Sequence, residues 1–266
     1  LLQQALAIDP NYAAAWVELG LVYFSQLNLG LRPSDEGWAL YREATNKALV
    51  LDAEYAPAYI NMSQIAMNRD NNLTAAARHM GRALQLEPVN TDILRSAASL
   101  SASLGRLEEG LVLTEYVVAR DPVNPAGHLN LGLYYTYLGR WDKAITSFRT
   151  ALALSPGLGG VHYNIGVALL LKSQPKAALE AMQLEESIWG MIGLPMVYHA
   201  LGRKEESDAA LAALIEELEQ DAAYNIAYVL AYRGETDRAF KWLEKAVMYK
   251  DGGLSEILTD PSFANL

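Results

Sequence analysis

The 266-residue chain has no cysteine, which excludes disulfides, thiolate nucleophiles and cysteine-ligated zinc or iron–sulfur centres. It also lacks any long apolar run: Val167-Ala168-Leu169-Leu170-Leu171 stops at Lys172, far short of the roughly 18 residues that a membrane-spanning helix needs. Basic clusters are missing as well, and the formal charge is −10, so a nucleic-acid backbone is not the expected partner. No glycine-rich phosphate loop, Ser/His/Asp arrangement or strand-period segment is found, which leaves no place for catalysis or a cofactor. What remains is ample material for a core, since 52% of residues are hydrophobic and only 20% are charged. The chain is expected to be soluble and non-enzymatic, with a cytoplasmic location favoured.

An internal repeat organises that material. Pro88, Pro122 and Pro156 are separated by steps of 34, and the same step carries Asn90 to Asn124, Leu104-Gly105-Arg106 to Leu138-Gly139-Arg140, and His128 to His162. Each period reads as an apolar segment ending in a Gly-Arg turn, then a second segment ending Ala-Leu-x-Leu-x-Pro. Apolar spacings of three and four make both segments amphipathic helices; glycine closes the first and proline stops the second.

This pattern resembles the tetratricopeptide repeat. Trp16-Val17-Glu18-Leu19-Gly20 with Tyr23, and His128-Leu129-Asn130-Leu131-Gly132 with Tyr135, are similar to the family's first helix. Gly139, Ala144, Phe148, Ala151 and Pro156 fall on its turn glycine, small residue, aromatic, alanine and closing proline. Close packing explains the types: Gly132 and Ala144 let two helices approach, and Phe148 fills the space beside Ala151. The resemblance implies an all-α fold, a right-handed superhelical α-solenoid of helix-turn-helix units whose first helices line a concave surface.

Extending the register gives one array over 1–266: a partial unit at 1–12, units near 13–55, 56–90, 91–124, 125–158, 159–187, 188–219 and 220–250, and a C-terminal cap at 251–266. The partial first unit implies that more protein precedes Leu1. Asn28 to Gly37 is an insertion expected to project between the two helices of its unit, Ser173-Gln174-Pro175 replaces a glycine turn, and Pro195 stands where glycine is usual. The stretch from Tyr198 to Asp208, Tyr232-Arg233-Gly234-Glu235 with Ala239 to Leu243, and the ending Asp251 to Leu266 resemble the tails of bacterial adenylate cyclase, winged-helix regulator and kinase-linked proteins. That resemblance implies a signalling array attached to an effector.

Candidate binding residues follow from the first-helix register. The position two after the aromatic one is Asn61, Asn130, Asn164 and Asn225 in four of seven units, with Glu18, Ser96 and Gly193 in the others. An amide can donate to and accept from a peptide backbone at once, and this resembles the asparagine ladder of O-linked N-acetylglucosamine transferase and importin-α. Asparagine here could equally tie helix to helix. Neighbouring groove offsets include Leu129, Leu133, Tyr137, Tyr163, Val167, Leu171, Tyr224, Tyr228 and Tyr232, with Arg95 the clear cation. Without further Lys or Arg this face does not suit the acidic C-termini that chaperone-clamping arrays hold; it suits an extended or amphipathic peptide. Tyr224, Tyr228 and Tyr232, spaced by four, are expected to form an exposed stripe.

His128 and His162 occupy matching positions where a flat ring is wanted for packing, so no metal is assigned to them. The expected function is a protein–protein interaction scaffold that holds a peptide of a partner, or of its own effector domain, in the groove. Homo-oligomerisation through the apolar groove and open first edge is one alternative. A small-molecule sensor, with its pocket in the irregular stretch from Gly159 to Glu219, is another.

Overall fold

The computed structural model describes residues 1–28, 31–259 and 263, and among these the secondary structure is fifteen α-helices and one short 3-10 turn. The helices are α1 (Leu2–Ile8), α2 (Ala13–Asn28), α3 (Ser34–Leu51), α4 (Ala56–Asn68), α5 (Leu73–Leu86), α6 (Thr91–Ser103), α7 (Leu107–Arg120) and α8 (Pro125–Tyr137). They continue as α9 (Trp141–Leu154), α10 (Val161–Leu171), α11 (Pro175–Gln183), α12 (Ile188–Ala200), α13 (Lys204–Leu218), α14 (Ala223–Tyr232) and α15 (Thr236–Tyr249), followed by the 3-10 turn Gly252–Glu256. The chain forms two compact units, residues 1–100 and 101–266.

In the first unit α2 pairs with α3 and α4 with α5, while α1 packs on α2 through Leu6, Ala15 and Leu19. Of the segment from Asn28 to Gly37, expected to be a projecting loop, Asn28 ends α2 and Ser34 to Gly37 open α3, with the irregular Leu31 to Pro33 between them; Leu29 and Gly30 lie outside the described residues. Ser34 to Gly37 form the first turn of α3, which reaches 18 residues against 14 in α5. Gly37 lets this added turn pack close to α2, where a Cβ would stand 3.1 Å from the Leu27 side chain. Arg32 ties the turn down by donating from Nε to Gln26 over 3.0 Å and pairing with Glu36.

In the second unit the pairs α8/α9, α10/α11, α12/α13 and α14/α15 follow one another, and successive first helices α8, α10, α12 and α14 also touch. Asn124 explains one helix start: its Oδ1 accepts from the amides of Ala126 and Gly127 at 3.0 and 3.3 Å, capping α8. Helices of a pair meet at a small residue. A Cβ on Gly132 would lie 2.3 Å from the Phe148 ring, and one on Gly166 would lie 2.6 Å from Met182. The first unit repeats the device with Gly20 against Tyr41.

Both irregular turns keep the pair geometry. Ser173 takes the left-handed conformation, φ 58°, that Gly139 holds at 69° in the pair before. Helix α12 runs through Pro195, whose carbonyl accepts from the Ser207 hydroxyl of α13 over 2.6 Å.

Candidate protein-binding face

The first-helix aromatic position has a specific task. Trp16 donates from Nε1 to the Pro10 carbonyl, Tyr59 from its hydroxyl to Ala53, and His128 from Nε2 to Pro122, each over 2.9 Å and each six residues back. The ring thus ties each helix to the turn that precedes it, which accounts for His128 without a metal. Among the described residues no group of three His, Cys, Asp or Glu is placed to hold a metal ion, and no helix is long and apolar enough to cross a membrane.

The asparagines at the next offset divide by environment. Asn130, Asn164 and Asn225 are partly exposed on α8, α10 and α14. Asn164 already donates from Nδ2 to the Gly160 carbonyl over 2.8 Å, so its carbonyl side is the part directed elsewhere. Asn61 differs from the expected groove position: it is 2% exposed in α4, and its Nδ2 has no hydrogen-bond partner among the described residues. Arg95 is half-exposed and pairs with Asp92 over 2.9 Å, one turn away on α6.

The tyrosines depart furthest from expectation. Tyr224 and Tyr228 are 2% and 6% exposed, so the stripe expected on α14 is covered and only Tyr232 stays partly open. Tyr163 is likewise 8% exposed, while Tyr137 is half-buried with its ring edge-on to Tyr134. The cause is the element that comes next. Trp189, at the start of α12, lies 5.4 Å from Tyr163, and Phe263 lies 5.5 Å from Tyr224 and 6.3 Å from Tyr228. Burial pushes the Tyr232 hydroxyl above its ordinary pKa.

Two acids absent from the expected site close these contacts. The Glu185 carboxylate, beyond α11, accepts from the amides of Gly160 and Tyr163 at 3.0 and 3.3 Å at the start of α10. Burial pushes this carboxyl up, but the Ser187 hydroxyl and the two amides outweigh it and hold it below its ordinary range. Asp251, beyond α15, accepts from the Tyr224 amide at the start of α14 and from the Gly253 amide, both over 2.9 Å. Here burial wins and, with the nearby Asp221 charge, raises the carboxyl above its ordinary value. Sequence spacing alone holds one hint of both acids: each sits just past the second helix of its pair.

The stretch from Gly159 to Glu219, expected to be the best place for a ligand pocket, is filled by α10 to α13 with Met182, Ile192 and Met196 buried at its centre. An open cavity of about 520 Å3 lies in the first unit, lined by Asp35, Trp38, Arg42, Glu43, Arg69 and Asp70 among others. Two ion pairs cross it, Arg42 with Asp70 and Arg69 with Asp35.

Comparison with known proteins agrees with this geometry. Residues 125–158 match the family described as tetratricopeptide repeat. Over 100 residues the chain is 29% identical to the BBSome complex member bbs-4 of Caenorhabditis elegans, covering 38% of this chain and 22% of that protein. The chain spans about a fifth of the length of the curated relatives it matches. Among solved structures, the type IV pilus biogenesis factor PilW superposes with a TM-score of 0.64 at 16% identity, over 82% of this chain and 98% of that one. TTC0263, a thermophilic tetratricopeptide-repeat protein of Thermus thermophilus, does so with a TM-score of 0.58 at 20% identity, over 70% and 99%. Such helix-pair solenoids are in general scaffolds for protein–protein interaction. Residues 125–158 therefore carry a tetratricopeptide repeat, and the chain shares the helix-pair solenoid fold of these structures.

Proposed function

We propose that the chain is a non-catalytic scaffold that holds an extended peptide segment of a protein partner along α8 and α10. The observation that supports this is the pair Asn130 and Asn164: they stand one repeat apart and both stay partly exposed, beside the half-buried Leu129, Leu133 and Tyr137. Amides one repeat apart offer backbone donors and acceptors in a row, and apolar side chains between them offer contact area. Asn225 extends the row on α14, where Tyr232 supplies a further contact; Arg95, on α6 of the first unit, is not assigned to this row. Asn61, Tyr163, Tyr224 and Tyr228 serve packing in this arrangement.

A displayed library of unstructured peptides, selected on the unaltered chain, provides the test. Peptides recovered in this way are titrated against the double variant Asn130→Ala, Asn164→Ala. Two lost hydrogen bonds at about 0.5–1.5 kcal/mol each weaken binding on the order of tenfold, with helicity unchanged. Equal affinity for a folded double variant would refute the assignment.

A further inference from the structure

The described residues after Lys250 do not trail into solvent; they stand against α14 where a following repeat would place its next first helix. Two pairs earlier, α10 has its N-terminus held by Glu185 and its Tyr163 covered by Trp189 of α12. At α14 the same two roles are taken by Asp251, bound to the Tyr224 amide, and by Phe263, which lies over Tyr224 and Tyr228. Gly253 presses onto the Tyr224 ring so closely that a Cβ would sit 2.5 Å from it, and Leu254 and Ile257 pack on the same core.

We propose that the face of α14 is a docking surface for a single apolar segment with an acidic anchor, and that residues 251–259 together with Phe263 occupy it as a detachable ligand in cis. Its attachment is of the kind that opens locally. The segment is built on a five-residue 3-10 turn, most of its described residues are partly or largely exposed, and Leu258 is 68% exposed. Burial makes the Asp251 anchor costly to keep ionised. The partner that fits this face in trans therefore carries the same elements: a carboxylate for the α14 amides, a small residue against Tyr224, and aliphatic and aromatic side chains beyond. Such a partner displaces that segment. The inference extends the peptide-holding face described above to α14, yet its test contains no partner, so it fails or stands apart from Asn130 and Asn164.

The experiment uses the full chain with Gly253→Val, which drives a side chain into the Tyr224 ring and dislodges the segment. A labelled synthetic peptide of residues 251–263 is titrated by fluorescence anisotropy, and helicity is followed by circular dichroism. The expected result is saturable binding to the folded variant and at least tenfold weaker binding to the unaltered chain, whose face is already filled. A folded variant that binds no peptide overturns the proposal. Should Gly253→Val lose helicity, Phe263→Ala, which removes a contact without adding bulk, is measured in its place. The expected result there is faster hydrogen exchange of the Tyr224 amide, and a folded Phe263→Ala chain with unchanged exchange also overturns the proposal.

Discussion

At the scale of single residues, the pairs Gly20 with Tyr41, Gly132 with Phe148 and Gly166 with Met182 are sockets in which one helix gives up its side chain so that another fills the space. Phe148 is fully buried, and a methyl group on Gly132 would overlap its ring at 2.3 Å. Gly132→Ala is therefore expected to cost about 1–3 kcal/mol, the range for overpacking a filled core, and not the small gain that alanine brings in an open helix. Thermal denaturation of the variant checks this: an unchanged or raised Tm would contradict the socket. Ser173 illustrates the opposite tolerance. Its turn accepts φ 58° from a residue other than glycine because the surrounding pair holds it there.

At the scale of helices, the acids beyond α11 and α15 act as caps borrowed from later in the chain. Glu185 has a folded pKa below its ordinary value, so its contribution to stability is fully present above the unfolded carboxyl pKa and is lost as pH falls through the folded one. Glu185→Ala is expected to cost about 0.5–2 kcal/mol at neutral pH, as for other lost caps. The gap in Tm between variant and unaltered chain should close as the solution is acidified, and a gap that stays constant down to acid pH would count against the cap. Asp251 carries the other sign: its raised folded pKa means that its ionised form is the less stable one, and that stability declines as pH rises through the ordinary-to-folded window.

Much of this element structure was legible in the sequence. Glycine turns, closing prolines and apolar spacing act within a few residues, so Gly139, Pro156 and the socket of Gly132 with Phe148 were readable locally. Exposure was not readable in the same way. Tyr163 and Tyr224 have groove-like offsets, but their burial is decided by Trp189 and Phe263, which belong to whatever follows each pair. Asn61 shares its offset with Asn130 and yet is enclosed. The Asn28 to Gly37 segment carries loop-forming residues, but the contact of Gly37 with Leu27 and the bonds of Arg32 to both flanking helices let α3 begin early. Offsets name a face, whereas neighbours decide whether it is open.

At the scale of the whole molecule, the paired helices within each unit touch their own partner and the adjoining pair. A solenoid built this way is stabilised by the sum of its pairs and their nearest-neighbour interfaces, so its unfolding need not be all-or-none. Weakening one pair in the first unit, for example by Gly20→Val against the Tyr41 ring, is expected to melt residues 1–100 before residues 101–266. Calorimetry should then show two separated transitions; a single transition shifted as a whole would show tighter coupling. The net charge of −10 fits the same economy, because most carboxylates are spread over outer surfaces where ion pairs such as Lys245 with Glu219 are exposed and contribute little each.

Synthesis adds a direction to this sum. Each pair can close as soon as its own two helices have left the ribosome, since it waits for no distant strand or loop, but the cover over its first helix comes later. Trp189 is made six positions after the end of α11 and Phe263 fourteen after the end of α15, so Tyr163, Tyr224 and Tyr228 meet water until those residues emerge.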